Sequence, residues 1–381
     1  ATTEIYTRKI VGSVRCVKRQ IKINGKEVKK ILVDGKEFMT GDTKTALKNL
    51  PTSIIDKIKA YDEKSDLSKV TGIDDGEEQT VLDFNVKKGM NKGLMSNIDL
   101  GIGNKNRYSA RGMGGYFNSN NRFMLFGNAN NTSDRGFSGG GPRRGFGGGN
   151  GLNASKMLAA NYNYEEKNKF KFNTSLRWNH SDGDVWSRRS SENFMGSSSS
   201  FSNSLNQNFS RSDSWNGNIR LEWMPDTMTN ILFRPSISWT TNDSRSTGIS
   251  ASYNQDPYQY TEDPLSDEGI EKMDEVDAVI NRQKSVSLSN SKNNNIRGML
   301  QLNRKLNNKG RNVTLRMDAK YTDKDSKSIS LQNAHLYLVQ NEAGLDSTYQ
   351  TNRYNLTPSK DYSYSAQATY SEPLWKATFL Q

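Results

Sequence analysis

The sequence is short of the apolar residues that a soluble core of this size requires. Only 33% of its 381 residues are hydrophobic, whereas ordinary soluble domains reach about 45–50% with glycine counted. No apolar run exceeds four residues, and a membrane-spanning helix needs about 20. Two classes tolerate this shortage: disordered chains, and large transmembrane β-barrels in which only alternate residues of a strand face lipid.

Cysteine and histidine are almost absent as well. Cys16 is the single cysteine, and His180 and His335 are the only histidines. One cysteine cannot build a disulfide framework, and two histidines leave little for a zinc site or a Ser-His-Asp triad. We therefore predict that the protein is not an enzyme and has no catalytic residues, no metal site and no cofactor. The net charge of +12 predicts contact with anions, either lipid head groups or nucleic acid.

An alternation with a period of two decides between disorder and a barrel. From residue 201 to residue 223, large apolar side chains stand at odd positions and polar ones at even positions. This period places the two sets on opposite faces of a strand, whereas a helix would mix them. At about 3.3 Å per residue, the segment predicts one strand of roughly 75 Å. Its apolar positions are Phe201, Leu205, Phe209, Trp215, Ile219, Leu221 and Trp223.

Shorter segments repeat the pattern and end in aromatic residues, as the girdles of membrane barrels do. We predict ten strands between Gly93 and Tyr370 and an eleventh that begins near Ala377. Short connections such as Pro225–Thr229 alternate with long ones, among them Ser181–Ser199, Thr241–Gln283 and Gln332–Asn352. The residues expected to face lipid are Phe170, Phe172, Leu176, Trp178, Ile219, Leu221, Trp223, Ile231 and Phe233.

Residues 21–90 have a different pattern, which indicates a small mixed α/β unit. We predict a strand over Ile31–Phe38 with a turn at Asp34–Gly35, and a helix over Thr43–Leu50 that ends before Pro51. Ile54–Tyr61 has helix-like spacing, with a strand over Lys57–Tyr61 as the alternative, and Val81–Val86 fits a strand.

The order of these segments resembles the plug domain of TonB-dependent outer-membrane receptors. The matching residues are Val33, Asp34 and Gly35 in one strand, then Pro51, Ile54 and Ile58, before a strand that leads into the barrel. The resemblance covers roughly Ile23 to Gln381. It implies a mainly β fold: an antiparallel transmembrane β-barrel preceded by an α/β plug.

The resemblance also implies a function, which is uptake of an extracellular ligand across the outer membrane. Ligands of the family include iron chelates, cobalamin and oligosaccharides. The implied partners are outer-membrane lipid, a TonB-type energy-transducing protein, the extracellular ligand and, as a further candidate, a surface lipoprotein. Nucleic acid is not among them.

The sequence also departs from the family pattern. A glycine-rich segment at the end of the plug and a TonB-box-like stretch are absent, and barrels of outer-membrane transporters have about 22 strands. We therefore expect a chain that is truncated at both ends. The expected organisation is an atypical segment over residues 1–20, for which the hypothesis is an artefact of the gene boundary, a plug-like domain over 21–90 and a partial barrel over 91–381.

Several segments leave alternatives open. Gly136–Gly151 reads as a flexible extracellular loop or as an RGG-like RNA-binding tract. Asp256–Asp277 carries nine acidic residues and reads as a solvated loop with a helix from Asp267 to Ile280. Some charged residues are expected to face the inside of the barrel, where the alternatives are that they line a solute path or that they contact the plug. These residues are Arg177, Arg220, Glu222, Arg234 and Arg316. The rival functions are an outer-membrane barrel with a structural, adhesive or secretion role, and a basic RNA-binding protein.

Overall fold

A computed structural model describes most of the chain, and most of the described residues lie in two β-sheets. The described residues are 3–6, 14–17, 20–23, 26–38, 55–71, 76–87, 92–118, 120–132, 152–195, 198–307, 310–340, 344, 346–375 and 378–380. The predicted helix over Thr43–Leu50, Pro51, Ile54 and the glycine-rich tract lie outside these ranges.

The first sheet, called here the N-terminal sheet, is mixed. Its elements are β1 (Thr3–Tyr6), β2 (Val14–Val17), β3 (Gln20–Ile23), β4 (Lys26–Val33), β5 (Lys36–Glu37), β6 (Ile55–Lys64) and β7 (Glu78–Val86), and helix α1 (Asp66–Thr71) connects β6 to β7. The order is β1-β6-β7-β4-β3-β2, with β5 beside β4. β4 and β7 are parallel, whereas β6 is antiparallel to β7.

Neighbouring strands decided one choice that the sequence left open, and the predicted turn at Asp34–Gly35 is in place. β6 is a strand because it pairs with β1 on one side and β7 on the other, so the strand reading of this segment is confirmed. The predicted strand over Ile31–Phe38 and its turn are confirmed: β4 ends at Val33, the turn follows at Asp34–Gly35, and β5 begins at Lys36. Asp34 and Gly35 have φ values of +47° and +74°, which suits a tight hairpin turn.

The second sheet, called here the large sheet, is antiparallel throughout. Its strands are β8 (Gly93–Gly103), β9 (Arg107–Phe117), β10 (Asn121–Asn130), β11 (Leu152–Glu166), β12 (Phe170–Met195), β13 (Ser198–Asp226), β14 (Thr229–Tyr253), β15 (Val279–Lys305), β16 (Asn312–Gln340), β17 (Asp346–Leu356), β18 (Ser359–Trp375) and β19 (Thr378–Leu380). Each strand pairs with the next in chain order, except that β17 and β18 both pair with β16.

β17 and β18 act as one strand interrupted at Pro358. β17 pairs with the later half of β16 and β18 with its earlier half, and proline has no N–H to donate at the junction. Counted as one, they complete ten strands in the described part of the chain from Gly93 onward before β19 begins at Thr378, which confirms the predicted number. Among the described residues β8 and β19 are the two edges of the sheet and do not pair with each other.

The prediction of long connections was wrong in two places. Most of Ser181–Ser199 is strand, since β12 ends at Met195 and β13 begins at Ser198. β16 and β17 likewise occupy most of Gln332–Asn352. These polar stretches lack alternation, but pairing that starts near the short turns continues outward, because each backbone hydrogen bond aligns the next pair.

The connection between β14 and β15 has structure of its own. Helix α2 (Asp267–Asp274) starts at Ser266, whose hydroxyl accepts a hydrogen bond from the Gly269 N–H. It is shorter than the predicted helix, because β15 already begins at Val279. Met273 and Ile270 are buried against Tyr253 of β14, so the acidic side chains stay on the outside. None of the helices that the structure describes is long and apolar enough to cross a lipid bilayer.

Candidate functional site

The N-terminal sheet lies against one face of the large sheet, called here the inner face. Phe38 contacts Phe126 edge to face, with ring centroids 6.3 Å apart. Met124 and Phe126 of β10 belong to the same buried cluster as Ile31 and Phe84 of the N-terminal sheet. Burial of these side chains, at roughly 1.5–3 kcal/mol each, provides the apolar part of the contact.

The turn at Asp34–Gly35 is held by Arg122 of β10. The guanidinium donates to the Val33 carbonyl oxygen and, over 3.1 Å, to Asp34 Oδ2. The other oxygen of Asp34 accepts from the Val86 N–H at 2.8 Å, and the Gly35 N–H donates to Asp83 Oδ1 at 2.9 Å. The predicted plug residues Val33, Asp34 and Gly35 therefore lie at the contact between the two sheets.

Of the other predicted plug residues, the structure describes only Ile58. Ile58 of β6 is half-buried and packs against the shared apolar cluster. Its neighbours along the motif, Pro51 and Ile54, lie outside the described residues.

A second ionic contact joins α1 to the inner face. Arg220 of β13 donates two hydrogen bonds to the carboxylate of Asp66, at 2.7 and 2.8 Å. Arg234 of β14 donates to the same carboxylate at 3.1 Å, and Glu222 lies 3.5 Å from Arg220. Burial opposes ionisation of Asp66, but the hydrogen bonds and positive charge of Arg220, reinforced by Arg234, hold the pKa of Asp66 far below its usual range.

Arg122 and Arg220, two of the three arginines that contact the N-terminal sheet and its helix α1, belong to one row of the large sheet. Strand pairing leads from Arg122 to Asn163, from Asn163 to Asn173, and from Asn173 to Arg220. Because side chains in one row point the same way, both arginines reach the N-terminal sheet from the same wall. Of the charges predicted to face inward, Arg220 and Arg234 contact that sheet directly.

A charged cavity of about 460 Å³ lies at the boundary of the two sheets. Glu63 of β6 lines it and accepts from Lys30 at 3.0 Å and from Lys69 at 2.6 Å. Lys171 and Glu222 line the side formed by the large sheet. The contact is thus apolar near Phe126 and ionic near Arg220.

The opposite face of the large sheet, called here the outer face, carries a continuous apolar belt. Trp215 is paired with Trp178 on one side and Trp239 on the other, which forms an aromatic row. Eight residues along β13, Trp223 is paired with Phe170 and Ile231 in a second row. All nine residues predicted to face lipid share the parity of this face: Phe170, Phe172, Leu176, Trp178, Ile219, Leu221, Trp223, Ile231 and Phe233.

Both histidines lie within strands of the large sheet, His180 inside β12 and His335 inside β16. His180 is hydrogen-bonded to Asp182 and Asp213, each at 2.8 Å. His335 stacks on Tyr337, with ring centroids 4.0 Å apart. The same outward extension of the strands that replaced the long loops explains both positions.

Sequence reasoning missed Asp66 and Arg122. Asp66 follows β6 within a run of mixed charge, and nothing local distinguishes it from its acidic neighbours. Arg122 had a usable signal, because it is the charged residue that begins a run of apolar residues, Phe123–Phe126.

No family model matches this chain, and no curated protein matches it. Among solved structures it is similar to the ferric yersiniabactin uptake receptor FyuA from Yersinia pestis, with 8% identity over 98% of this chain and 62% of that chain at a TM-score of 0.26. The chain is also similar to the siderophore receptor PiuA from Acinetobacter baumannii, with 9% identity over 95% of this chain and 60% of that chain at a TM-score of 0.26. A third similar structure is the ferric-catecholate import receptor Fiu from E. coli K12, with 8% identity over 97% of this chain and 80% of that chain at a TM-score of 0.27.

The chain therefore spans about three fifths of the length of FyuA and of PiuA. TM-scores of 0.26 and 0.27 indicate only weak overall similarity. The fold of this chain is defined by its own strand pairing.

Proposed function

We propose that this chain forms part of an outer-membrane receptor that takes up an extracellular ligand through a plugged β-barrel. The observation that carries the proposal is the difference between the two faces of the large sheet. The outer face has an apolar belt between the rows of Trp215 and Trp223, and the inner face is polar apart from the apolar contact at Phe126 and holds the N-terminal sheet. A soluble protein would bury the belt, whereas a membrane protein turns it to lipid.

The dimensions of the belt support a membrane position. Trp215 and Trp223 are eight residues apart, or about 26 Å along the strand at about 3.3 Å per residue. A strand tilt of about 40° reduces this to a height of about 20 Å, close to the band of about 25 Å found in outer-membrane barrels. β13 continues another 17 residues beyond Trp215, from Ser198 to Ser214, which suits an extracellular projection.

In this proposal the N-terminal sheet is the plug. Its contacts through Arg122 and Arg220 hold it against the wall, and energy transmitted by a TonB-type protein shifts it to open a path. The extracellular ends of the strands and the acidic connection around α2 receive the ligand.

Two measurements in cells that carry the whole protein test the proposal. The protein should sediment with outer membranes and resist alkaline extraction, and uptake of its solute should stop when the TonB-type protein is deleted. A soluble protein that carries RNA would instead favour the RNA-binding alternative. An outer-membrane protein that imports no solute would favour a structural, adhesive or secretion role.

A further inference from the structure

The inner face contains a basic hollow next to the contact between Asp66 and Arg220. The hollow has a volume of about 460 Å³. Its charged lining residues are Arg220, Arg234, Arg297, Arg316, Lys320 and Asp318. Five cations therefore face one carboxylate, and the remaining polar lining comes from uncharged side chains such as Asn218, Ser236 and Ser363.

Part of this positive charge has no internal partner. Asp318 accepts from Arg316 Nε at 2.8 Å, so this pair is neutral. Arg297 donates only to the Asn295 amide oxygen, at 3.0 Å, and Lys320 forms no ion pair among the described residues. Both side chains are exposed to the hollow. Unpaired cations that converge on one concave surface raise the local concentration of anions.

The N-terminal sheet already supplies one anion to this wall. The two oxygens of Asp66 meet the two terminal nitrogens of Arg220 side by side, and Arg234 adds a third hydrogen bond. This fork geometry is the one by which a guanidinium binds any carboxylate or phosphate. Asp66 thus occupies the position that an oxyanion from solution would take on Arg220 and Arg234.

We infer that the hollow is a binding site for oxyanion solutes, such as phosphate or carboxylate groups, and that a bound oxyanion competes with Asp66 for Arg220 and Arg234. This inference rests on the proposed function, whose substrate class and release step it specifies. When the solute takes over the two arginines, α1 loses its ionic contact with the wall. Binding of the solute and detachment of the N-terminal sheet then favour each other, since coupling between two sites is reciprocal.

The coupling predicts effects of opposite sign for substitutions on the two sides of the contact. Asp66→Asn removes the internal competitor, and we expect it to tighten binding of inorganic phosphate by roughly tenfold, within the range of about 5- to 150-fold found for coupled sites. The double substitution Arg297→Gln and Lys320→Gln removes two unpaired cations and should weaken binding by at least about tenfold. Arg304→Gln is the matched control, because Arg304 pairs with Asp226 at an exposed turn.

The test measures phosphate affinity by phosphorus NMR titration of the full chain folded in lipid vesicles. A second readout needs no variant: saturating phosphate should speed hydrogen exchange in α1, because the contact that protects it is lost. The inference is overturned if folded Asp66→Asn binds phosphate as weakly as the unmodified chain, or if phosphate leaves exchange in α1 unchanged. Neither result tests TonB-dependent uptake. If the proposed uptake function is wrong, cells will show no TonB-dependent import even though phosphate still binds to the chain in vesicles.

Discussion

An arginine placed in the middle of the outer belt gives the most direct check on the membrane assignment. Ile219 is 39% exposed and lies four residues from Trp215 and four from Trp223. Four residues correspond to about 13 Å along the strand, or about 10 Å of depth after a tilt of about 40°. Ile219 is therefore midway between the two aromatic rows.

We expect Ile219→Arg to lower the free energy of unfolding from a bilayer by about 2–4 kcal/mol, the cost of an arginine on the lipid face at the midplane. This corresponds to a factor of about 30 to 1,000 in the folding equilibrium. Ile237→Arg, two residues from Trp239, should cost less because it lies nearer the interface. Ser238 lies on the inner face, paired with Asn216, so Ser238→Arg should cost under about 1 kcal/mol.

The assay is a urea titration of the protein folded in thin phosphatidylcholine vesicles, followed by tryptophan fluorescence. The informative quantity is the difference between the outer-face and inner-face variants, since both introduce the same side chain. If Ile219→Arg and Ser238→Arg lose equal stability, the outer face does not contact lipid and the reasoning fails.

Three further predictions concern the contact between the two sheets. The pKa of Asp66 is lowered in the folded protein, so the ionised carboxylate stabilises the contact fully above its ordinary pKa of about 3.8, and this stabilisation is lost as the pH falls through the lower folded pKa. Proteolysis of the N-terminal sheet should therefore rise in acid. Asp66→Asn should abolish this dependence of proteolysis on pH. Arg122→Gln breaks the largely buried pair of Arg122 with Asp34 and should destabilise the N-terminal sheet by about 3–5 kcal/mol. Arg304→Gln at an exposed turn should cost under about 1 kcal/mol. Urea titration of both variants compares the two losses of stability. Gly35→Ala places a side chain at a φ of +74° and should cost about 1–2 kcal/mol in the same titration, and no loss would contradict the turn geometry.

Much of the large sheet could be predicted because its signal is local. Alternation along β13 marks the two faces whatever its neighbours are, and Pro225–Thr229 and similar turn segments set which strands pair. The ends of the strands could not be predicted in this way. Ser181–Ser199 has polar residues at both parities, and only its pairing partners make it strand.

The contact between the sheets was predictable in part. The Asp34–Gly35 turn stands out because a residue pair of this type favours positive φ. Asp66 and Arg220 are 154 residues apart in sequence, and nothing in the sequence around either one indicates its partner. Long-range ion pairs of this kind depend on where two separately formed sheets meet.

The sequence by itself determined the mainly β character of the protein, its alternating strands and the parity that separates an apolar face from a polar one. These follow from side-chain order along one strand, because successive residues point to opposite sides. The tertiary structure alone decided how far the strands extend, how β17 and β18 share one neighbour, and which carboxylate meets which arginine. Those features depend on contacts between distant segments, whose geometry exists only when the sheets are assembled.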